Sequence, residues 1–293
     1  MTNRPRMPVN ASGCSTTMTT TTFRPAVTDE EGASAQLRLF PVRELGILRY
    51  EKEQAGEAQV TVVIPLYNYE MTIAECLESV AAQDLGQLSV IVIDDASTDD
   101  GGERAVAILR QYEDRFVSAR VVRHVRNQGL SMARNSGVAW SREPYLFMLD
   151  ADNRIRPSCL SKLLEALELS GAAFAYAQLR MFGEVDTLGI ADVWDPARLR
   201  EGNYIDAMAL VRRDALLAAG GYSTLANDYG WEDYDLWLRF AELDYRGLFL
   251  PEILYEYRVH KSSMLRARTA NYTKPLMAEL IRRHPSIFVT KSE

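Results

Sequence analysis

Unbroken apolar runs that end in polar clusters, each followed by a helical period, constrain this chain more than any other feature. Val60-Thr61-Val62-Val63-Ile64-Pro65 and Val90-Ile91-Val92-Ile93 show no alternation of apolar and polar residues, as expected of strands buried on both faces. After the first run, Ile73, Cys76, Leu77 and Val80 fall at i, i+3, i+4 and i+7, one face of a helix. The pattern repeats with a helix from about Glu103, a strand over Ala119–Val122 and a helix over Leu130–Trp140. Tyr145–Leu149 is a further strand, and Leu160, Leu163, Leu164 and Leu167 mark one more helical face. Strand alternating with helix at this spacing predicts an α/β fold with a mostly parallel sheet covered on both faces. Ligands of such sheets bind outside the carboxyl ends of the strands. Leu66-Tyr67-Asn68, Asp94-Asp95 and Asp150-Ala151-Asp152 all arrive there.

The leading residues differ. Ser15-Thr16-Thr17-Met18-Thr19-Thr20-Thr21-Thr22 has no apolar period and cannot bury enough surface to offset its ordering entropy. Residues 1–57 are therefore expected to be a partly disordered N-terminal extension, and 58–293 the folded domain. Within the extension, residues 36–52 carry enough apolar side chains to pack on that domain. Over the whole chain, 33 Lys+Arg stand against 40 Asp+Glu. No dense basic stripe offers the clustered cations that nucleic-acid binding requires. Cys14, Cys76 and Cys159 lie far apart without a C-x-x-C pair, which argues against a disulfide scaffold or zinc site and fits a reducing compartment. The longest apolar runs are strand-sized, with no signal-peptide or membrane-span pattern, so the expected location is the cytoplasm.

Four groups of residues can carry chemistry. Asp150 and Asp152, two residues apart after a buried strand, can point at one divalent cation, which prefers oxygen ligands. The plainer alternative is turn chemistry, since Asp favours turns and helix caps. Asp95 can accept the imino N–H of a pyrimidine, with Ser97 or Asp99 capping the helix that follows. The G-x-G-x-x-G fingerprint is missing there, which disfavours a dinucleotide. Trp231-Glu232-Asp233-Tyr234-Asp235 opens a helical segment. Its carboxylates either serve the helix dipole or include a general base, whose pKa the dipole would lower. His260 stands among Arg258, Lys261 and Ser262, donors suited to a diphosphate, and as neutral imidazole can complete a metal site with a carboxylate.

Taken in order, these blocks resemble the family 2 glycosyltransferases of the GT-A fold, a Rossmann-like nucleotide-binding architecture. The matching stretches are Val62–Asn68, Val92–Asp99, Asn127–Gly137, Leu149–Asn153, Gly220-Gly221-Tyr222, Glu232-Asp233 and Tyr257–His260, and together they span roughly residues 58–265. The resemblance implies that Pro65, Tyr67, Asn68 and Glu70 line the nucleotide pocket and that Asp95 reads the base, expected to be uracil, with Arg134 nearby. It places Asp150 and Ala151 against the nucleotide, and Asp152 and His260 on Mn²⁺ or Mg²⁺. It makes Asp233 the catalytic base, sets Trp231 and Glu232 on the acceptor side, and has Arg258 and Lys261 steady the diphosphate.

The implied enzyme inverts configuration and moves one sugar from a nucleoside-diphosphate sugar to an acceptor hydroxyl. A Q/R-x-x-R-W block of processive members is missing, which favours single transfer. A saccharide, lipid-linked or protein acceptor in cell-surface polysaccharide or glycoconjugate synthesis is consistent with this. The alternative is a catalytically silent domain that binds a nucleotide sugar or a partner. A phosphatase with D-x-D after a buried strand is a weaker rival, because Asn153-Arg154 follows where that class has Thr or Val. The basic tail of Arg266, Arg268, Lys274, Arg282 and Arg283 suggests either peripheral contact with an anionic membrane face or a solvated helix closing over the donor site.

Overall fold

The computed structural model describes residues 46–225, 230–260 and 270–288. Its frame is one large sheet. The strands are β1 (Ile47–Glu53), β2 (Val60–Leu66), β3 (Leu88–Asp94), β4 (Ser118–Arg123), β5 (Tyr145–Met148), β6 (Arg154–Ile155), β7 (Phe174–Gly183), β8 (Thr187–Leu188), β9 (Ala209–Arg212) and β10 (Gly247–Val259). The helices are α1 (Ile73–Ala81), α2 (Gly101–Gln111), α3 (Leu130–Trp140), α4 (Cys159–Ser170), α5 (Arg213–Ala218), α6 (Glu232–Glu242), α7 (Ala270–Arg283) and α8 (Pro285–Phe288).

Spatial order along the sheet is β1-β4-β3-β2-β5-β9-β7-β10-β6, with β8 paired to β7. The central four, β4, β3, β2 and β5, are mutually parallel, as the buried apolar runs predict. β2 and β3 are buried at every residue. Pro65 falls where the β2–β5 ladder ends: the Leu149 amide donates to the Val63 carbonyl at 3.0 Å, and proline, without an N–H, cannot add the next bond on that side.

The sequence reading covers four of these strands; β6, β7, β8 and β10 lie outside it, and two further differences shape the sheet. β9 is antiparallel to both β5 and β7 and joins the two parallel halves; with four residues and no flanking turn signature, it gave no sequence signal. Ile47–Glu53, assigned above to the extension, is an antiparallel edge strand on β4. The folded sheet thus begins before residue 58. Arg120, only 4% exposed, reaches from β4 to ion-pair with Glu51 and Glu53 on this edge strand, which ties it down.

Each sheet face has its own core. On one, the predicted stripes Ile73, Cys76, Leu77, Val80 of α1 and Leu160, Leu163, Leu167 of α4 pack against Val62, Ile64, Val90 and Phe147. On the other, Val63, Met148 and Phe174 meet Tyr222, Trp237, Phe240 and Leu280. Phe174 stacks on Trp237 with ring centroids 4.8 Å apart, and the Trp237 indole N–H donates to the Ile205 carbonyl at 3.1 Å. These contacts fix α6 over the carboxyl edge of the sheet.

Candidate active site

The loops after β2 and β3 form one wall, and they are sewn together. Asn68, at φ 58°, accepts from the Thr98 amide at 2.7 Å, while its own amide donates to the Ser97 hydroxyl at 3.1 Å. The Glu70 amide donates to Asp99 at 2.9 Å. Asn tolerates the left-handed backbone that this turn demands. Pro65 is buried at the strand end, while Tyr67 and Asn68 are exposed and Glu70 half-buried.

Asp95 is buried and its carboxylate anchors the next loop. It accepts from the Gln128 amide at 2.8 Å and pairs with His124 Nδ1 at 2.6 Å, both through Oδ1. The Gly129 amide donates to Oδ2 at 2.8 Å. Three of its roughly four lone-pair directions are filled this way. Asn127 adds a bond to the Asp95 carbonyl at 3.1 Å. The loop so held delivers α3, which carries Arg134.

Arg134 is 1% exposed and joins two regions far apart in sequence. It donates to Asp150 Oδ1 at 2.8 Å and ion-pairs with Glu232. Burial opposes its charge, but Asp150 and Glu232 outweigh burial and hold it firmly protonated.

After β5 the chain turns through Asp150-Ala151-Asp152. Ala151 is fully buried in the core, so only its backbone faces the site. His260 Nε2 lies 3.0 Å from Asp152 Oδ2, and the two side chains are 25% and 9% exposed. Burial, then the charge of Asp150, raises the Asp152 carboxyl above its ordinary value; His260 pulls the other way. Arg258 is not turned toward the open edge. Its backbone N–H donates to Asn153 Oδ1 at 2.8 Å, its Nε donates to the Asp152 carbonyl at 2.9 Å, and its guanidinium ion-pairs with Glu75 on α1. It braces the turn, where the sequence reading had it on the diphosphate. Lys261 lies outside the described residues.

The acidic cluster opens α6. Trp231 is its N-cap in the left-handed region, φ 66°, an expensive backbone for a bulky residue. Its ring meets Tyr234 edge-on at 5.8 Å. Glu232 is buried against Arg134. Asp233 Oδ2 accepts from Asn203 Nδ2 at 3.0 Å, and Oδ1 accepts from the Tyr234 amide at 2.8 Å. The dipole was expected to lower the pKa of a base here. Instead burial, with the charges of Glu232 and Asp206, pushes Asp233 up to about 8, since desolvation and like charge outweigh the dipole. Asp235, fully buried, is held down at about 2: burial opposes its charge, but His284, Arg239 and Arg283 outweigh it.

Asn203, Asp206 and His284 escaped the sequence reading. Asn203 and Asp206 lie on the loop before β9, itself unrecognised. Asp206 accepts from the Met208 amide at 2.9 Å, and burial followed by the charge of Asp150 pushes its carboxyl up to about 7.

The resemblance implies a metal, and few of the described side chains at this edge could hold one. Among the described residues no three His, Cys, Asp or Glu side chains gather in a cation-holding group. Asp152 and His260 form a two-ligand half-site of one carboxylate and one imidazole. That suits a hard divalent ion completing its shell with substrate phosphate oxygens and water.

The model of the family described as glycosyl transferase family 2 matches residues 61–217. The chain belongs to that family and is a glycosyltransferase. EpsE of Bacillus subtilis (strain 168), whose name assigns it to the glycosyltransferases, is 28% identical over 220 residues, which cover 73% of this chain and 78% of EpsE. Glycosyltransferase GlyA of Streptococcus pneumoniae serotype 4 is 26% identical over 237 residues, 75% of this chain but only 33% of GlyA. Among solved structures, S. aureus TarS 1-349 in complex with UDP-GlcNAc superposes with a TM-score of 0.64 at 18% identity, covering 80% of this chain and 68% of that one. The mannosyltransferase PcManGT from Pyrobaculum calidifontis, in complex with GDP-Man and Mn2+, gives 0.60 at 18% identity, covering 90% and 73%. Both likenesses establish the fold.

Proposed function

We propose that this glycosyltransferase moves one sugar from a nucleoside-diphosphate sugar, with UDP as the nucleotide, to an acceptor hydroxyl with inversion of configuration. The observation that carries the reading is the Arg134 bridge from Asp150 to Glu232. It draws the expected donor half and the expected acceptor half of the site into one edge. Two buried donors there, Arg134 Nε and Asn153 Nδ2, have no acceptor among the described residues. Such donors suit a site whose oxygen acceptors arrive with the substrate.

In this reading Tyr67 and Asn68 flank the base, and Asp95 uses the lone pair remaining on Oδ2 to accept the uracil imino N–H. Asp152 and His260 hold Mn²⁺ or Mg²⁺, which supplies Lewis-acid neutralisation of the leaving diphosphate when bound. Glu75 and Arg258 keep the Asp152 turn in place. Asn203 orients Asp233, and Asp233 takes the proton of the acceptor hydroxyl as that oxygen attacks the anomeric carbon from the face opposite the diphosphate. The chain contributes chiefly by holding donor and acceptor in line. An acceptor in cell-surface polysaccharide or glycoconjugate synthesis belongs to the same reading. So do a cytoplasmic location and the division into an N-terminal extension and a catalytic domain. Among the described residues no helix is long and apolar enough to cross a membrane.

Calorimetry with UDP, GDP and dTDP, with and without Mn²⁺, tests the donor site on the wild type and Asp152→Ala. UDP binding that requires both Mn²⁺ and Asp152 is the expected result. If a folded protein binds none of the three, the catalytic reading fails in favour of a silent domain. NMR of the new glycosidic linkage tests inversion.

A further inference from the structure

The direction of β9 brings a carboxylate-bearing loop to the edge that holds the Asp150–Asp152 turn. β5 and β9 pair antiparallel as Tyr145 with Arg212, Leu146 with Val211 and Phe147 with Leu210. Because β9 runs antiparallel to β5, the loop that leads into β9 and carries Asp206 leaves the sheet at the same edge as the Asp150–Asp152 turn. Three residues earlier on the same loop, Asn203 holds Asp233 at 3.0 Å. The loop that carries Asp206 thus spans the edge from the Asp150–Asp152 turn to Asp233. Its electrostatic neighbours agree: Asp150, Arg134 and Asp152 act on Asp206, and Asp206 acts in turn on Asp233 and on the Tyr257 phenol. In an in-line displacement, the group between the diphosphate metal and the base is the transferred sugar.

We propose that Asp206 is the donor-sugar residue of this enzyme, accepting hydrogen bonds from sugar hydroxyls, and that it restricts the donor to an uncharged sugar. The inference rests on the sugar-transfer reading above and names the substrate class of the same site. The Met208 amide takes one bond of the carboxylate, which leaves acceptor directions for adjacent hydroxyls. The Asp206 carboxyl oxygens can accept from sugar hydroxyls in either protonation state, and those bonds strengthen when the group is ionised. A uronic-acid donor would bring a further carboxylate to an edge where burial and like charge already push the carboxyls of Asp152, Asp206 and Asp233 above their ordinary range. The cation at this edge, Arg134, is already engaged by Asp150 and Glu232. Like charges in so buried a space repel strongly.

The test compares paired donors that differ only at C6: UDP-glucose with UDP-glucuronate, and UDP-galactose with UDP-galacturonate. Binding of each pair and of UDP alone is measured by calorimetry with Mn²⁺, on the full chain and on Asp206→Asn and Asp206→Ala. For the wild type, the neutral member of at least one pair is expected to bind about tenfold or more tightly than its uronate. Asp206→Asn narrows that ratio several-fold, and Asp206→Ala weakens the neutral sugar nucleotide, while both bind UDP as the wild type does. Retained UDP affinity also shows that the variants fold. Equal or tighter uronate binding in the wild type overturns the inference, as does an unchanged ratio in both variants. If UDP itself fails to bind the wild type, the underlying sugar-transfer reading fails and takes the inference with it.

Discussion

Arg134 on α3 and Glu232 on α6 are ion-paired 98 residues apart in the chain, and neither side chain has more than a few per cent of its surface in water. The same guanidinium reaches Asp150 at 2.8 Å. One buried cation therefore ties α6 to the D-x-D turn.

Removing that cation takes the shared counter-charge from a buried Glu232 and a partly exposed Asp150. Arg134→Met is expected to destabilise the fold by about 3–5 kcal/mol, the usual range for breaking a buried pair from one side. Arg134→Lys should recover little, because a point charge cannot reach both carboxylates as the planar fork does. Pairing Arg134→Met with Glu232→Gln should restore part of the loss. Urea unfolding of the four proteins measures all of this.

Close approach of α3 to the sheet gives a second prediction. A Cβ at Gly137 would lie 2.1 Å from Val63 Cγ1, and Val63 is fully buried. Alanine is the better helix former by about 1 kcal/mol. Overpacking a stiff, β-branched neighbour costs about 1–3 kcal/mol and falls at the upper end at so short a contact. Gly137→Ala should therefore lower stability by about 1–2 kcal/mol net. A gain in the denaturation midpoint would show that α3 can lift off the sheet at little cost.

The parallel half of this architecture was legible because its strands are continuous apolar runs, such as Val60–Ile64, with helical stripes such as Ile73–Val80 between them. Asp152 and His260 were paired only through the family resemblance, since a lone histidine carries little signal, and the structure brings them to 3.0 Å. What the sequence hid depends on pairing across long separations. Ala209–Arg212 is too short to carry a period, so its loop was passed over and Asn203 and Asp206 with it. Asp233 at a helix start suggested a lowered pKa, because burial and the approach of Asp206 have no local signature. Arg258 looked like a phosphate ligand because nothing nearby in sequence announces Glu75.

The end of the chain supplies a pH-dependent prediction. His284 is 3% exposed and lies 3.2 Å from Asp235 and 2.9 Å from Glu242, with Arg283 and Arg239 also on Asp235. Burial opposes the imidazolium, but the bonds to Asp235 and Glu242 prevail and raise its pKa above 6.5. A raised histidine contributes stability that is complete below its unfolded value and disappears as pH climbs through the folded one. The wild type should exceed His284→Ala by about 1–3 kcal/mol near pH 6. The gap should shrink above neutrality in denaturant titrations. A gap that grows with pH would mean that the ring is held neutral.

Asp233 can act as a base only once it has lost its proton, and its pKa stands at about 8 in the substrate-free site. The sign follows directly: kcat/KM, which reports the free enzyme, should rise with pH through about 8 and then level. Asp206 is one of the charges that hold this value up. Asp206→Asn should therefore move the rise to lower pH even where it weakens donor binding. Asp233→Asn should lower kcat by about 10²–10⁴-fold with UDP affinity unchanged. The same shift acts on folding in the same sense as the raised His284. Between the ordinary carboxylate value and about 8 the folded state binds the extra proton, so stability falls as pH rises across that window, and Asp233→Asn should flatten the fall. A rate profile flat from pH 6 to 9 in the wild type, with chemistry rate-limiting, would remove Asp233 from the role of base.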